Sequence, residues 1–112
     1  MARLSTHVLD TAHGRPARGM SIRLYCCEGE TRRLLKTATT NQDGRTDGPL
    51  LSGEQIPAGV YELIFCVADY FGSQAIPFLG EVVVRFGVED PAGNYHVPLL
   101  VAPYGYSTYK GS

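Results

Sequence analysis

Residues 20–27 read MSIRLYCC, and the alternation of their side chains decides the fold class. Every second residue from Met20 to Cys26 is apolar, and the residues between them are Ser21, Arg23 and Tyr25. A period of two is typical of a β-strand that buries one face and exposes the other. The stretch therefore predicts a half-buried strand.

The same alternation recurs on both sides of this stretch. It is clearest in VYELIFCV at 60–67 and in EVVVRFGV at 81–88, and shorter runs lie at 4–10, 33–40, 95–102 and 104–109. Turn-forming segments rich in Gly, Pro, Asn and Asp separate the runs. About seven or eight short strands with such turns predict an all-β antiparallel sandwich.

One segment has the character of a short helix. It is DYFGSQAI at 69–76, and its Gly72 weakens the helical tendency. The chain shows no internal repeat, low-complexity tract or linker. We therefore expect a single domain over residues 1–112.

Charge and hydropathy exclude two classes of partner. The net charge is −1, with ten basic and eleven acidic residues spread along the chain, so the sequence predicts no nucleic-acid or anionic-membrane partner. Glu62 and Asp69 interrupt the most apolar stretch, VYELIFCVADYF, and the N-terminus lacks the apolar core of a secretory signal. We expect no membrane span and a cytoplasmic location.

The sequence gives little support to a metal site. His7, His13 and His96 share no metal-ligand spacing with one another or with the three cysteines, whose odd number predicts reduced thiols. The loop at 41–52 has some features of a calcium loop, but Arg45 occupies a ligand position in it. We therefore predict no metal ion.

Three basic residues are candidates for function. His7 lies in the predicted strand at 4–10, Arg45 follows a Gly in a turn, and His96 begins a strand in which Pro98 indicates a sheet edge or a bulge. Taken singly, the pattern favours a half-exposed surface histidine for His7 and a solvated loop arginine for Arg45, and for His96 the ordinary alternative is a satisfied polar residue at a sheet edge. Periodicity alone cannot bring them together.

Three blocks of sequence surround these residues: LSTHVLDTAHGRPA at 4–17, TNQDGRTDGPL at 40–50 and YHVPLLVAPYGYSTYKGS at 95–112. In this order and spacing they resemble the 5-hydroxyisourate hydrolase family, the transthyretin-like enzymes of urate breakdown, over essentially the whole chain. The family typically ends in Tyr-Arg-Gly-Ser, where this chain has Tyr109, Lys110, Gly111 and Ser112. Lysine keeps the charge but lacks the planar donor pair of arginine.

The resemblance implies a fold and an assembly. The fold is a transthyretin-like sandwich of two four-stranded sheets with one short helix, and the assembly is a homotetramer built as a dimer of dimers. The active sites would lie in a channel where two dimers meet, lined by His7, Arg45, His96 and the C-terminal residues. The end of the chain would then be ordered because it forms part of the site.

The resemblance also implies a reaction, hydrolysis of 5-hydroxyisourate to 2-oxo-4-hydroxy-4-carboxy-5-ureidoimidazoline. We expect His96 to be the general base and His7 to orient water or the substrate. Arg45 would bind the substrate and stabilise the negative charge that develops on oxygen, and Tyr109 and Ser112 would position the ring. This chemistry requires no metal or organic cofactor.

Two other functions compete with this interpretation. One is a non-catalytic small-ligand carrier of the transthyretin type, because a fold does not fix a function. The other is an adhesive or carbohydrate-binding sandwich, which would explain the strands but not the three blocks. The residues at the site favour the enzyme.

Overall fold

Nine strands and one short helix make up the part of the chain described in the computed structural model, residues 1–72 and 75–112. In chain order they are β1 (Ala2–Asp10), β2 (Arg15–Pro16), β3 (Ser21–Glu28), β4 (Thr31–Thr39), β5 (Leu51–Gly53), β6 (Gly59–Phe65), α1 (Val67–Phe71), β7 (Val82–Val88), β8 (Asn94–Ala102) and β9 (Gly105–Thr108).

The strands form two sheets, which confirms the all-β sandwich with one short helix. The first sheet has the order β2-β1-β8-β9, and β5 also pairs with β1. This sheet therefore has five strands instead of the expected four. The second sheet has four strands in the order β4-β3-β6-β7. Beside this extra strand, buried Leu50 donates its N–H to the Leu4 carbonyl at 2.8 Å.

One pair of strands departs from the antiparallel pattern. β1 and β8 run parallel, with Ser5 opposite His96 and His7 opposite Pro98, whereas every other described pair of strands is antiparallel. Parallel neighbours need a long crossover, and here the whole second sheet lies between them in sequence. The parallel pair therefore brings the two ends of the chain together.

The alternation seen in the sequence corresponds to the core between the sheets. Met20, Ile22 and Leu24 are at most 1% exposed, and the alternate residues of β6 and β7 are also buried. Burying such side chains contributes roughly 1.5–3 kcal/mol each relative to leaving them in water. The hydrophobic pattern thus fixes which face of each strand points inward.

The helix begins earlier than expected. α1 starts at Val67, which the alternation had placed in a strand, and Gly72, with φ of +69°, ends it. Val67 is fully buried in either arrangement, so its hydrophobicity could not distinguish helix from strand. The expected helix at 69–76 also included Ser73 and Gln74, which lie outside the described residues. No helix in the described ranges is long and apolar enough to cross a membrane.

The expectation that Pro98 marks a sheet edge or bulge is wrong. β8 is an interior strand, between β1 and β9. Proline is tolerated there because the pairing with β9 stops at Leu99, the next residue, so that a missing N–H costs little. The Pro98 carbonyl accepts a hydrogen bond from the hydroxyl of Thr108 at 2.7 Å.

Candidate active site

The parallel pair β1–β8 brings both candidate histidines to the outer face of the first sheet. Along β1 the even-numbered residues are buried in the core, so His7 faces away from it and is half-buried. His96 lies opposite Ser5 in the register, two positions from the partner of His7. Residues 89 positions apart in sequence are therefore neighbours on one sheet face.

The loop that carries Arg45 is attached directly to β1. Val8 donates its N–H to the Gly44 carbonyl at 2.8 Å, and His7 and Arg45 form an antiparallel bridge. Nε2 of His7 lies 2.9 Å from the Asp43 carbonyl oxygen. Arg45 therefore leaves the backbone beside His7.

Asn41 holds this loop in shape. Its side-chain oxygen accepts the N–H groups of Asp43 at 2.9 Å and Arg45 at 3.2 Å, and its amide donates to Asp47 at 3.1 Å. Gly44 has φ of +76°, and a Cβ there would collide with the Val8 carbonyl, so only glycine fits. The polar residues of this loop serve to present Arg45.

The end of the chain folds against His96. Gly111 donates its N–H to the His96 carbonyl at 2.7 Å, and its Cα lies so close to the imidazole that an added Cβ would stand 2.6 Å from Cδ2. Lys110 places its Nζ 5.1 Å from the centre of the Tyr95 ring, a cation–π contact. The exposed Ser112 follows Gly111 directly.

A shallow cavity opens beside this terminal segment. Its volume is about 280 Å³, and its walls come from β7, from the start of β8 with His96, and from 108–110 with Tyr109. The Tyr109 side chain is 59% exposed, so it rims the cavity without being buried in it. A second hollow of about 230 Å³ lies beside Ser5 and Arg45.

The surroundings of His96 favour its neutral form. Burial lowers its pKa first of all, and the charge of Arg45 and the neighbouring imidazole of His7 lower it further. An imidazole that is neutral at physiological pH has a free lone pair and can accept a proton. His96 therefore has the electrostatic environment of a general base.

His7 is held in a defined orientation. A carbonyl oxygen can only accept a hydrogen bond, so the 2.9 Å contact with Asp43 requires a proton on Nε2. In neutral His7 the lone pair is then on Nδ1. The ring can therefore accept a hydrogen bond from water or substrate at Nδ1.

The sequence did not reveal two further polar contacts. Ser5 places its Oγ 2.9 Å from Nδ1 of His96, and no local signal could indicate a partner 91 residues away. Buried Asp10 accepts hydrogen bonds from the His13 ring and from the Tyr70 hydroxyl, both at 2.7 Å. His13, which lies in the turn after β1, therefore belongs to a separate cluster.

That cluster borders a larger hollow of about 680 Å³, which also contains Arg15 and Arg18. His7, Arg45 and His96 do not line it. Within residues 1–72 and 75–112, no three His, Cys, Asp or Glu side chains are grouped so that they could hold a metal ion, and the three cysteines are free.

Comparison with known proteins places this arrangement in a family. The sequence model of the HIUase/Transthyretin family matches residues 4–111. The 5-hydroxyisourate hydrolase 2 of Rhizobium meliloti is 55% identical over an alignment of 115 positions, which covers 98% of this chain and 96% of that protein.

Two solved structures have the same fold. (S)-Allantoin synthase superposes with a TM-score of 0.90 and 41% identity over 99% of this chain, which spans only 44% of the length of that protein. Sea bream transthyretin in complex with thyroxine superposes with a TM-score of 0.85 and 28% sequence identity, over 97% of this chain and 94% of the transthyretin. Sequence and fold agree over nearly the whole chain, and the protein belongs to the HIUase/Transthyretin family.

Proposed function

We propose that this protein is an enzyme that hydrolyses 5-hydroxyisourate to 2-oxo-4-hydroxy-4-carboxy-5-ureidoimidazoline. The observation that carries the proposal is the placement of His7 and Arg45 beside a His96 whose pKa is lowered, on one sheet face. The full-length likeness to a protein named 5-hydroxyisourate hydrolase 2 supports the same substrate. Hydrolysis of a cyclic ureide needs a base, a cation and a group that orients water, and His96, Arg45 and His7 can fill these roles.

In the proposed mechanism, His96 takes a proton from water as the oxygen attacks the ring carbonyl carbon. The new C–O bond forms, the ring C–N bond breaks, and the proton held by His96 passes to the leaving nitrogen. One water molecule is thus added across the amide bond, which leaves an N–H and a carboxylic acid, and the acid then releases its proton to the solvent as a carboxylate. A positioned base contributes typically a hundredfold or more to such a step.

Arg45 and His7 bind and orient the reactants in the same reaction. The guanidinium of Arg45 donates to the substrate carbonyl groups and stabilises the oxyanion of the tetrahedral intermediate. His7, whose Nε2 is bound to the Asp43 carbonyl, orients water or substrate with Nδ1. The rigid loop around Asn41 supports these roles because it fixes where the Arg45 side chain begins.

Tyr109 and Ser112 position the substrate ring in this proposal. Their support is the contact of neighbouring Gly111 with His96, which holds the terminal segment at the cavity. Lys110 stands where the family has arginine, and its cation–π contact with Tyr95 gives it a role in fixing the segment.

We also propose that the enzyme works as a homotetramer, a dimer of dimers. A single chain offers only shallow hollows at the site, and the outer face that carries His7 and His96 also carries half-buried Leu9 and Leu100. A second pair of chains on this face would deepen the site into a channel. The single domain over residues 1–112 and the cytoplasmic compartment stay predictions.

The carrier alternative receives less support. The fold does not distinguish a carrier from an enzyme, since the thyroxine-bound transthyretin superposes with a TM-score of 0.85 and (S)-allantoin synthase with one of 0.90. The difference lies in sequence identity, 28% to that transthyretin against 55% to the hydrolase, and in the site. Binding alone needs no base, whereas His96 is kept neutral beside Arg45 and His7.

The proposal is tested by following the absorbance of freshly generated 5-hydroxyisourate. The protein should accelerate the decay above the spontaneous rate, and His96→Ala or Arg45→Ala should abolish the acceleration while the molar mass is unchanged. His13→Gln and Arg18→Ala are matched controls, because both residues lie at the separate hollow. Decay at the spontaneous rate with the unmodified protein would refute the proposed function.

A further inference from the structure

Ser5 and His96 meet across the parallel pair of strands. The register sets the two residues opposite each other on the outer face of the sheet, and Ser5 Oγ lies 2.9 Å from Nδ1 of His96. Both side chains are half-buried, so the contact is shielded in part from water. The proposed base His96 is itself a partner in this hydrogen bond, so the bond affects how the imidazole ring is oriented.

The hydroxyl group by itself leaves the protonation of the ring open, because it can donate or accept. The position of the hydroxyl limits the choice, because Ser5 Oγ occupies Nδ1 and leaves Nε2 as the ring nitrogen that can face the reaction. For His96 to act as the base, its lone pair has to lie on Nε2, so that Nδ1 carries the proton and donates it to the Ser5 hydroxyl.

The opposite side of the ring is closed by the end of the chain. Gly111 is bonded to the His96 carbonyl, and the space next to Cδ2 is too small for even one added carbon. The imidazole therefore cannot swing away from Ser5 toward 109–112 without displacing the segment. The ring is fixed between β1 and the C-terminal residues.

We propose that Ser5 is a positioning residue that keeps the proton of neutral His96 on Nδ1 and leaves the lone pair on Nε2. This inference rests on the proposed function, in which His96 is the base. A neutral imidazole has one lone pair, and a ring in the other tautomer would direct it at Ser5 instead of at water. Ser5 thus decides whether the base faces the reaction.

The tautomer can be measured without turnover. In ¹⁵N-labelled protein at a pH where His96 is neutral, long-range ¹H–¹⁵N spectra distinguish the protonated nitrogen from the bare one. We expect the proton on Nδ1 in the unmodified protein and in Ser5→Thr, and a mixture of tautomers in Ser5→Ala. A proton on Nε2 in the unmodified protein overturns the inference, whether or not any variant folds.

Kinetics provide the second readout. In Ser5→Ala we expect kcat to fall about tenfold or more with KM changed little, since the fraction of correctly protonated base falls. Ser5→Thr should restore most of kcat because it returns the hydroxyl, and Ser52→Ala, an exposed serine on β5, should match the unmodified protein. Equal kcat in Ser5→Ala and Ser52→Ala overturns the inference. Inactivity of the unmodified protein would refute the proposed function instead and leave the tautomer measurement standing.

Discussion

At the scale of single residues, His96 combines partial burial with two basic neighbours, the guanidinium of Arg45 and the imidazole of His7. Both effects disfavour the imidazolium, burial most strongly, so the pKa lies below the ordinary value of 6.5. In the proposed mechanism Arg45 would bind the substrate, and its charge also disfavours protonation of the base. One cation thereby has two consequences for catalysis.

The pH dependence of activity follows from this shift. In the proposed mechanism the neutral imidazole is the active form, so activity should be lost as pH falls through the lowered pKa, and the acid limb of kcat/KM should lie below pH 6.5. In Arg45→Gln a positive charge is removed and the pKa of His96 should rise. Titration of the His96 ring by NMR measures this without turnover, and Arg18→Gln is the control. A His96 pKa above 6.5 in the unmodified protein contradicts the prediction.

Gly111 supports a prediction about the chain end. Gly111→Ala places a Cβ 2.6 Å from Cδ2 of His96, so that either the ring or the terminal segment must move. A displacement of this size at a reacting group should lower kcat by about tenfold or more. The melting temperature should change little, because the segment contributes no side chain to the core.

Gly105→Ala is the matched control for this substitution. Gly105 begins β9, and a Cβ there would meet no heavy atom of the described residues within 4 Å. Its kcat should equal that of the unmodified protein. Full activity in Gly111→Ala would show that the contact with His96 is dispensable.

At the scale of elements, Asp10 joins three pieces of the first sheet and its surroundings. Asp10 is the last residue of β1. Its carboxylate accepts hydrogen bonds from the backbone N–H and the ring of His13 in the following turn, and from the hydroxyl of Tyr70 in α1. Burial by itself would raise the pKa of this carboxyl, but the hydrogen bonds from Tyr70 and His13 outweigh burial and lower it. The carboxylate therefore stabilises the fold.

The direction of the Asp10 pKa shift determines the pH range in which this carboxylate stabilises the fold. Because the pKa in the folded state is below the unfolded value of about 3.9, the stabilisation is complete above that value and is lost as pH falls through the folded pKa. Tyr70→Phe should cost about 2 kcal/mol at neutral pH, and the folded-state pKa of Asp10 should rise, so that less stability is lost on acidification.

Thermal melts at a series of pH values measure both effects. Tyr104→Phe is the control, since Tyr104 is 71% exposed. Equal melting curves for Tyr70→Phe and Tyr104→Phe at every pH would show that Asp10 does not depend on Tyr70.

Strands were predictable because their pattern is local. In β3 and β7 burial follows the period of two, since Ile22 and Leu24 of β3 and Val82, Val84 and Val88 of β7 are buried and their direct neighbours in each strand are more exposed. The start of α1 was not predictable, since Val67 is buried in a strand and in a helix alike. The prediction that Pro98 lies at a sheet edge or bulge was wrong because β8 is an interior strand. A proline fits there since the pairing with β9 ends at Leu99, and the residues around Pro98 in the sequence do not reveal where that pairing ends.

At the scale of the whole molecule, the site consists of distant parts of the chain. His7, Arg45 and His96 come from β1, a loop and β8, and no period in the sequence relates them. Their grouping was expected only from the resemblance of three blocks to a known family. The Ser5–His96 contact lay beyond both kinds of reasoning, since it depends on the register of two strands at opposite ends of the chain.

The last prediction concerns the assembly that would complete this site. Leu100 lies on the outer face of the first sheet, opposite Leu9 in the register and only half-buried in the isolated chain. If two dimers meet on this face, Leu100→Glu would bury a carboxylate in an apolar contact, at a cost of several kcal/mol. Light scattering should then show a mass below four times the 12.2 kDa of one chain, and turnover should fall with it because the channel loses a wall.

Leu34→Glu is the control, since Leu34 is 50% exposed on β4 in the other sheet and lies outside the proposed contact. It should keep both the mass and the activity of the unmodified protein. A tetramer that survives Leu100→Glu with full activity would place the contact between dimers elsewhere. The site would then have to work within the shallow hollows of a single chain, where water surrounds the substrate and the field of Arg45 is screened more strongly.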